Sequence, residues 1–251
     1  MSATLLQISA LGKRFGGVVA TDDVHLSILG GETHALIGPN GAGKSTLIAQ
    51  VNGELAPDAG QIVFGGRDVT RLSAHQRAML GFARSFQITS IFPNFTVLEN
   101  VALAVQARNG SSFRFWRPVR SEPMLYDAAG EILMQVGLEK AAGYSAGALS
   151  HGEHRQLELA IALATKPRLL LLDEPMAGMG SEESARMVEL IEGLKPRFTI
   201  LLVEHDMGAV FRLADRISVM VAGRLIATGT VEEIRRNDGV RVAYLGEEEY
   251  A

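Results

Sequence analysis

The chain has 251 residues, of which 47% are apolar and 21% charged, a composition that predicts a folded globular protein and excludes a disordered or collagen-like chain. The formal charge is −4, with 24 Lys and Arg against 28 Asp and Glu, so no overall basic field favours a nucleic-acid partner and any bound polyanion must be held locally. The sequence contains no cysteine, which excludes disulfides and thiolate metal sites.

No apolar run in the sequence has the length of a membrane-spanning helix. The longest runs, such as 169–172 and 200–203, are far shorter than the roughly 20 residues that a helix needs to cross a bilayer. The first residues lack the basic region and apolar core of a secretory signal. We therefore expect a cytoplasmic chain that does not itself span a membrane.

The first third of the chain shows strand patterns. Val24, Leu26 and Ile28 alternate with polar residues, a Gly30-Gly31 turn follows, and 34–37 is mostly apolar. This alternation predicts strands paired as hairpins.

One helix is predicted among these strands. Leu47, Ile48 and Val51 fall at helical spacing before an Asn52-Gly53 stop, and a further strand is predicted at 62–64 between two turns. The first third is therefore expected to be β structure with a single helix.

The middle third changes to helical patterns. Thr96 and Glu99 form a possible capping box before a helical run, and a second helix is indicated around 132–136. These patterns predict a helical subdomain at about 88–165. Residues 109–123, rich in Gly, Ser, Pro, Arg and aromatic residues, are interpreted as a surface loop without an assigned function.

The last third alternates between apolar strands and helical patterns. The predicted strands are 169–172 and 200–203, the predicted helices contain 187–194 and 210–214, a closing hairpin covers 217–228, and Thr230 with Glu233 caps a last helix. Strands that alternate with helices predict a parallel, doubly wound sheet.

A glycine-rich loop lies between the strand at 34–37 and the helix that follows. It fits the pattern Gly-x4-Gly-Lys-Ser/Thr, and its residues are Gly38, Pro39, Asn40, Gly41, Ala42, Gly43, Lys44, Ser45 and Thr46. Glycines let backbone N–H groups approach phosphate oxygens, Lys44 supplies a point charge, and the Ser45 hydroxyl suits Mg²⁺. The alternative, a glycine turn with a solvated lysine, does not account for the strand before the loop and the helix after it.

Two adjacent carboxylates, Asp173 and Glu174, end the strand at 169–172. A buried strand holds its last residue rigidly, so Asp173 suits Mg²⁺ and Glu174 suits an attacking water next to a γ-phosphate. Without the phosphate loop, an acidic pair that ends a strand before Pro175 would be an equally good interpretation.

A second anion site is predicted at the start of another helix. Ser150 and Glu153 form a capping box there, which alone explains both residues. Gly152 also permits close approach of a phosphate to the N-terminus of the helix. One chain seldom uses two such loops on a single nucleotide.

Taken together, these motifs resemble the ATP-binding subunits of ABC transporters over essentially the whole chain. Ser150, His151, Gly152 and Glu153 match the signature of that family, and Asp173-Glu174 matches its second nucleotide motif. The resemblance implies three more site residues, which are Phe15 stacked on adenine, Gln87 of the glutamine loop and His205 as the switch histidine. Each of the three alone would be explained as a core aromatic, a solvated Gln or a local hydrogen-bonding His.

The signature departs from the common pattern of the family at two positions. His151 replaces a glycine and Glu153 replaces a glutamine, and the segment 176–180 also differs from the usual Ser-x-Leu-Asp loop. Together with 243–246, Ala-Tyr-Leu-Gly, these features are most similar to ATPases of branched-chain amino-acid importers.

The resemblance implies an α/β P-loop ATPase fold in one ABC domain, residues 1–251, with a parallel-sheet core, an antiparallel β subdomain and the inserted helical subdomain. It implies two ATP molecules held between this chain and a second ATPase, identical or different. In this arrangement Gln87, Ser45 and Asp173 bind Mg²⁺, Glu174 activates water and His205 holds the γ-phosphate. It also implies integral membrane permeases as partners, a solute-binding protein as an indirect partner, and a location on the cytoplasmic face of the cell membrane.

Other functions share the same nucleotide motifs. The main alternative is a soluble ABC ATPase of the assembly type that works without a permease. Within transporters, urea or lipid remains open as the cargo, since the cargo contacts other subunits.

Overall fold

The computed structural model describes residues 3–85, 91–108, 123–195 and 197–242. These residues divide between two compact units. The first unit is drawn from Met1–Arg77, Leu171–Glu174 and Leu194–Ala251, and the second from Ala78–Leu170 and Pro175–Gly193. The second unit is therefore inserted into the sequence of the first.

The helices and strands follow one another along the chain in a mixed order. They are β1 (Thr4–Phe15), β2 (Val18–Leu29), β3 (Thr33–Ile37), α1 (Lys44–Asn52), β4 (Ala59–Phe64), β5 (Arg67–Asp68), α2 (Ala74–Leu80), β6 (Phe82–Arg84), α3 (Val97–Arg108), α4 (Pro123–Gln135), α5 (His151–Ala164), β7 (Leu169–Asp173), α6 (Ser181–Leu194), β8 (Thr199–Val203), α7 (Met207–Leu213), β9 (Arg216–Val221), β10 (Arg224–Gly229), α8 (Val231–Arg235) and α9 (Asp238–Val240). Short 3₁₀ turns lie at Glu139–Ala141 and Ala146–Ala148.

An antiparallel sheet in the first unit contains β2, β1, β4 and β5 in that order. The alternation predicted for β2 is present. Leu26 and Ile28 lie opposite Ile8 and Leu6 of β1, and all four side chains are buried. One face of this sheet therefore supplies apolar side chains to the core, as the period of two requires.

A second sheet in the first unit contains β10, β9, β3, β8 and β7 in that order. β3 runs parallel to both β8 and β9, which confirms the predicted parallel sheet, and β9 with β10 forms the predicted closing hairpin. The prediction that 34–37 also belongs to a hairpin is wrong, because after the Gly30-Gly31 turn the chain enters this sheet instead of pairing back on β2. Every residue of β3 and β8 is buried, and such strands belong in a parallel sheet covered on both faces.

A buried polar network links the strands of this parallel sheet. The ring of His34, on β3, places Nδ1 2.7 Å from Glu32 Oε1 and Nε2 2.8 Å from Ser218 Oγ. Ser218 Oγ in turn lies 2.7 Å from Thr228 Oγ1, and Glu32 Oε2 accepts the N–H of Leu29 at 2.7 Å. Because the partners satisfy one another, the network ties β3, β9 and β10 together in one register.

The same network predicts a pH dependence of stability. Burial raises the pKa of Glu32, but the hydrogen bonds from His34 and the Leu29 N–H outweigh it and leave the pKa below the usual 4.5. A carboxylate whose pKa is lower in the folded state stabilises the fold above its unfolded pKa, and this contribution is lost as the pH falls through the folded pKa. We therefore expect Glu32→Gln to lose less stability than the wild type as the pH falls from about 6 to about 3, measured by urea unfolding. An unchanged loss would contradict this assignment.

The second unit is built mainly from α3, α4, α5 and α6. The predicted capping box of α3 is confirmed, because Thr96 N–H donates to Glu99 Oε2 at 2.9 Å and Glu99 N–H donates to Thr96 Oγ1 at 3.1 Å. Apolar residues at helical spacing are buried on three of these helices, namely Val97, Val101 and Val105 on α3, Leu125, Ala129 and Leu133 on α4, and Leu157, Ala160 and Ala164 on α5. β6 lies beside the start of β7, where the N–H groups of Arg168 and Leu169 donate to Gly81 O.

Several elements differ from the sequence prediction. The first third contains α2 as well as α1, so the prediction of a single helix there is wrong, and β5 and β6 were not predicted. The helix α9 follows α8, which was predicted to be the last. The predicted surface loop at 109–123 lies outside the described residues except for Pro123, the first residue of α4. Among the helices that the structure describes, none is long and apolar enough to cross a membrane.

Candidate nucleotide-binding site

The predicted phosphate loop lies between β3, which ends at Ile37, and α1, which begins at Lys44. Gly43 precedes the helix with φ 103°, and no side chain caps the N-terminus of α1. The helix ends as predicted, with Gly53 in the left-handed conformation after Asn52. The strand, loop and helix thus follow one another as a phosphate loop requires.

Several backbone N–H groups of this loop are unpaired within the described residues, whereas that of Ala42 donates to Pro39 O at 3.2 Å. In the described part of the chain, five N–H groups donate no hydrogen bond, those of Gly41, Gly43, Lys44, Ser45 and Thr46. Unpaired N–H groups at a helix N-terminus carry partial positive charge and bind anions. The loop can therefore surround a phosphate with donors from its own backbone.

The Lys44 side chain completes the cationic character of the loop. Its Nζ donates to the carbonyl oxygens of Gly38 at 2.5 Å and Pro39 at 3.0 Å, so the ammonium group lies over the loop. Burial lowers the pKa of Lys44, and the carboxylates of Glu174 and Asp173 oppose this change. The ammonium group, the loop and the two carboxylates therefore act on one another electrostatically within the first unit.

The loop requires glycine at position 43 for a steric reason. A Cβ added to Gly43 would lie 2.1 Å from the carbonyl oxygen of Ala20, whereas a Cβ added to Gly41 would meet no atom within 4 Å. Both residues have positive φ, which costs about 1–2 kcal/mol with a side chain present. We expect Gly43→Ala to lower the free energy of unfolding at least twice as much as Gly41→Ala, measured by urea denaturation. Equal losses would show that the backbone around Ala20 yields to the added methyl group.

The two predicted carboxylates lie at the end of β7. Asp173 is its last residue and is buried, and Glu174 follows with φ 50°, an uncommon conformation for a residue with a side chain. The Glu174 N–H donates to Val203 O on β8 at 2.9 Å, which holds the backbone in place. Left-handed residues held by their surroundings concentrate at functional sites.

His205 follows the end of β8, and its side chain is 67% exposed. Its backbone N–H donates to Glu204 Oε2 at 2.9 Å, and the same oxygen accepts the N–H of Asp206 at 3.4 Å. Glu204 was not predicted as a site residue; its side chain is fully buried and holds the backbone that carries His205. Its position directly after an apolar strand, like that of Glu174, is the sequence pattern from which Glu204 could have been predicted.

Of the two other site residues that the resemblance implies, Phe15 and Gln87, the structure describes only Phe15. Phe15, the last residue of β1, is 50% exposed, and Lys13 Nζ lies 5.7 Å from the centroid of its ring. A half-exposed ring is available for stacking on a planar ligand. Gln87 lies outside the described residues.

The predicted second anion site forms the start of α5 in the second unit. Ser150 caps the helix, Glu153 Oε2 accepts the Ser150 N–H at 2.8 Å, and the capping box is complete. The backbone N–H of Ser150 is the main cause that lowers the pKa of Glu153. A cleft of about 380 Å³ opens here and is lined by Ser150, Gly152, Glu153, Met179, Glu183 and Arg186, among others.

Known proteins are similar to this chain in both sequence and fold. A family model described as ABC transporter matches residues 21–177, and one described as Branched-chain amino acid ATP-binding cassette transporter matches 224–250. The high-affinity branched-chain amino acid transport ATP-binding protein BraF of Pseudomonas aeruginosa is 38% identical over 98% of this chain and 100% of its own. LivG of Escherichia coli, described in the same words, is 39% identical over the same shares.

Solved structures of ATP-binding cassettes from ABC transporters have the same fold. A nucleotide-free cassette superposes with a TM-score of 0.84 at 28% identity, covering 96% of this chain and 99% of that one. The ADP conformation of such a cassette superposes with a TM-score of 0.84 at 30% identity, covering 98% and 100%. These matches extend over nearly the whole length of both chains. The chain therefore belongs to the ABC transporter family of ATP-binding proteins.

Proposed function

We propose that this chain is the ATP-hydrolysing subunit of an ABC importer that takes up branched-chain or related amino acids through separate membrane permeases. The observation that carries the ATPase assignment is the phosphate loop, with its unpaired N–H groups and Lys44, in the same unit as Asp173 and Glu174. The cargo follows from the relatives BraF and LivG and from the match at 224–250.

The phosphate loop binds the nucleotide in this proposal. The unpaired N–H groups of Gly41 and of residues 43–46 donate to phosphate oxygens, and Lys44 turns from its carbonyl partners to the β- and γ-phosphates. The exposed ring of Phe15 stacks on the adenine. The complete nucleotide-binding set in this chain is Phe15, Gly38, Pro39, Asn40, Gly41, Ala42, Gly43, Lys44, Ser45 and Thr46.

Ser45 and Asp173 of the first unit supply oxygen donors that fit a magnesium ion that arrives with the nucleotide. The described residues contain no group of three or more His, Asp and Glu side chains able to hold a metal alone. Mg²⁺ is commonly bound by one or two protein oxygens together with phosphate oxygens and water. Ser45, Asp173 and Gln87 are the protein donors in this proposal, and the ion supplies charge neutralisation at the phosphates.

Hydrolysis depends on two side chains that follow strand ends. Glu174 accepts a proton from the attacking water, and its constrained backbone limits where the carboxylate points. His205, on the backbone that Glu204 holds, hydrogen-bonds the γ-phosphate and keeps Glu174 in line with it. Glu174, His205 and Gln87 form the catalytic set.

A second ATPase completes the site in this proposal, and Ser150, His151, Gly152 and Glu153 serve the nucleotide of the partner, since one chain seldom uses two such loops on a single nucleotide. The pair is identical or made of two different subunits, and it contacts integral permeases at the cytoplasmic face of the membrane. Exposed Phe92 and Phe95, with ring centroids 5.4 Å apart, suit the permease contact. A solute-binding protein acts indirectly, through the permeases. Residues 1–251 form one ABC domain that includes the helical part at about 88–165.

The proposal is tested by isolating the chain with its partners. The chain is tagged in its native host, membranes are solubilised gently, and the co-purifying proteins are identified. Recovery of integral permeases and a second ATPase is the expected result. Recovery of soluble partners alone, with the chain absent from membranes, would favour an assembly-type ATPase instead.

A further inference from the structure

The His151 side chain does not point along the start of its own helix but contacts a different segment of the second unit. Its Nε2 lies 3.1 Å from the carbonyl oxygen of Ala177. A carbonyl only accepts, so Nε2 carries the hydrogen and donates it. The side chain that replaces a signature glycine therefore links the Ser150–Glu153 turn to the backbone at 177.

Gly178 makes room for this imidazole. A Cβ added to Gly178 would lie 3.1 Å from His151 Nε2, and the residue has φ +78°. Glu183 also approaches the turn closely, because a Cβ added to Gly152 would lie 2.9 Å from Glu183 Oε1. The turn thus approaches 177–183 at two points, and of these the contact of His151 is a hydrogen bond.

The segment that His151 contacts lies close in sequence to the predicted catalytic carboxylate Glu174. Ala177 follows Glu174 by three residues, and the Ser150–Glu153 turn begins the helix that carries the second anion site. We propose that His151 is a positioning residue for ATP hydrolysis, whose Nε2–H fixes the signature turn against Ala177-Gly178. The inference rests on the proposed function, and it assigns the ring to the protein backbone and not to the nucleotide.

Two variants of His151 and one control distinguish the effect of the ring N–H donor from the effect of the ring's shape. His151→Phe keeps a ring against Gly178 but removes the donor, and His151→Gln keeps an amide N–H at a similar reach. His154→Phe is the matched control, because His154 lies in the same first turn and its Nδ1 is 2.9 Å from Ser150 O within that turn. The contact of His151 is exposed, so these changes leave the fold intact.

The first measurement is amide hydrogen exchange of 176–180 in the isolated chain, which needs no ATPase activity. We expect exchange to be about three- to tenfold faster in His151→Phe, the effect of one lost hydrogen bond, and to return to the wild-type rate in His151→Gln. His154→Phe is expected to exchange like the wild type. Equal exchange in His151→Phe and the wild type would overturn the inference, and so would a failure of His151→Gln to restore it.

The second measurement is steady-state ATP hydrolysis by the complex with its partner ATPase. His151→Phe is expected to lower kcat about three- to tenfold without weakening ATP binding by the isolated chain, and His151→Gln to restore kcat. Unchanged kcat in His151→Phe would overturn the positioning role. A wild-type complex without ATPase activity would instead contradict the proposed function, while the exchange data would still decide the contact.

Discussion

Glu174→Gln is expected to slow ATP hydrolysis at least about 100-fold while ATP still binds, because an amide cannot accept the proton of the attacking water. The glutamine has the same shape, and the Glu174 N–H keeps its bond to Val203 O. The phosphate loop, which binds the nucleotide, is unchanged. Release of phosphate by the purified complex measures the rate, and a fluorescent ATP analogue measures the affinity.

Glu182→Gln is the matched control for this variant. Glu182 is also a carboxylate, eight residues further on, and its exposed side chain pairs only with Arg186 at 3.1 Å among the contacts of the described residues. We expect this variant to hydrolyse ATP at the wild-type rate. A Glu174→Gln complex as fast as the control would remove Glu174 from the catalytic set.

Arg77→Met is expected to destabilise the first unit by about 3 kcal/mol or more. Arg77 is fully buried, and its guanidinium donates to four backbone carbonyls, Gln50 and Val51 at 2.6 Å, Thr70 at 3.0 Å and Leu72 at 3.1 Å. Methionine fills much of the volume but leaves these oxygens without a donor. The midpoint of urea unfolding measures the loss.

The effect has a structural reason beyond the hydrogen bonds. Two of the four carbonyls belong to the last turn of α1, the helix whose other end carries the phosphate loop. A cation at the C-terminus of a helix also interacts favourably with the helix dipole. Burial lowers the pKa of Arg77 to about 10, so the guanidinium remains charged at neutral pH. Arg71→Met, at an exposed position, is the control and is expected to change stability by less than about 0.5 kcal/mol. Similar midpoints for the two variants would contradict the proposed role of Arg77.

Local signals in the sequence predicted the parts of the fold that local chemistry determines. The stop at Gly53 and the capping boxes at Thr96, Ser150 and Thr230 depend on residues a few positions apart, and all are present. The phosphate loop is likewise a local pattern between a strand and a helix. Such features need no knowledge of which strands pair across the chain.

Pairing between distant segments was not predictable in the same way. The run at 34–37 follows a glycine turn, as a hairpin strand does, but its partners are β8 and β9, more than 160 residues later. The sequence of α2 gives a weak apolar pattern, because its buried residue is the charged Arg77. Arginine is seldom buried without partners, and the partners here are carbonyls that no sequence pattern reveals.

The same limit applies to the candidate site. Asp173 and Glu174 were predicted from their position after an apolar run, whereas Glu204 and the contact of His151 with Ala177 depend on side-chain orientation. The departures of the signature from the family pattern marked His151 as unusual. Only the structure shows what its ring contacts.

Uptake of leucine by the reconstituted complex is the most direct test of the proposed importer function. Proteoliposomes containing the chain and its co-purified partners are loaded with ATP and Mg²⁺, supplied with the solute-binding protein outside, and assayed with radiolabelled leucine. We expect accumulation that requires ATP and stops in a Lys44→Ala complex. A wild-type complex that hydrolyses ATP but accumulates neither leucine, isoleucine nor valine would contradict it.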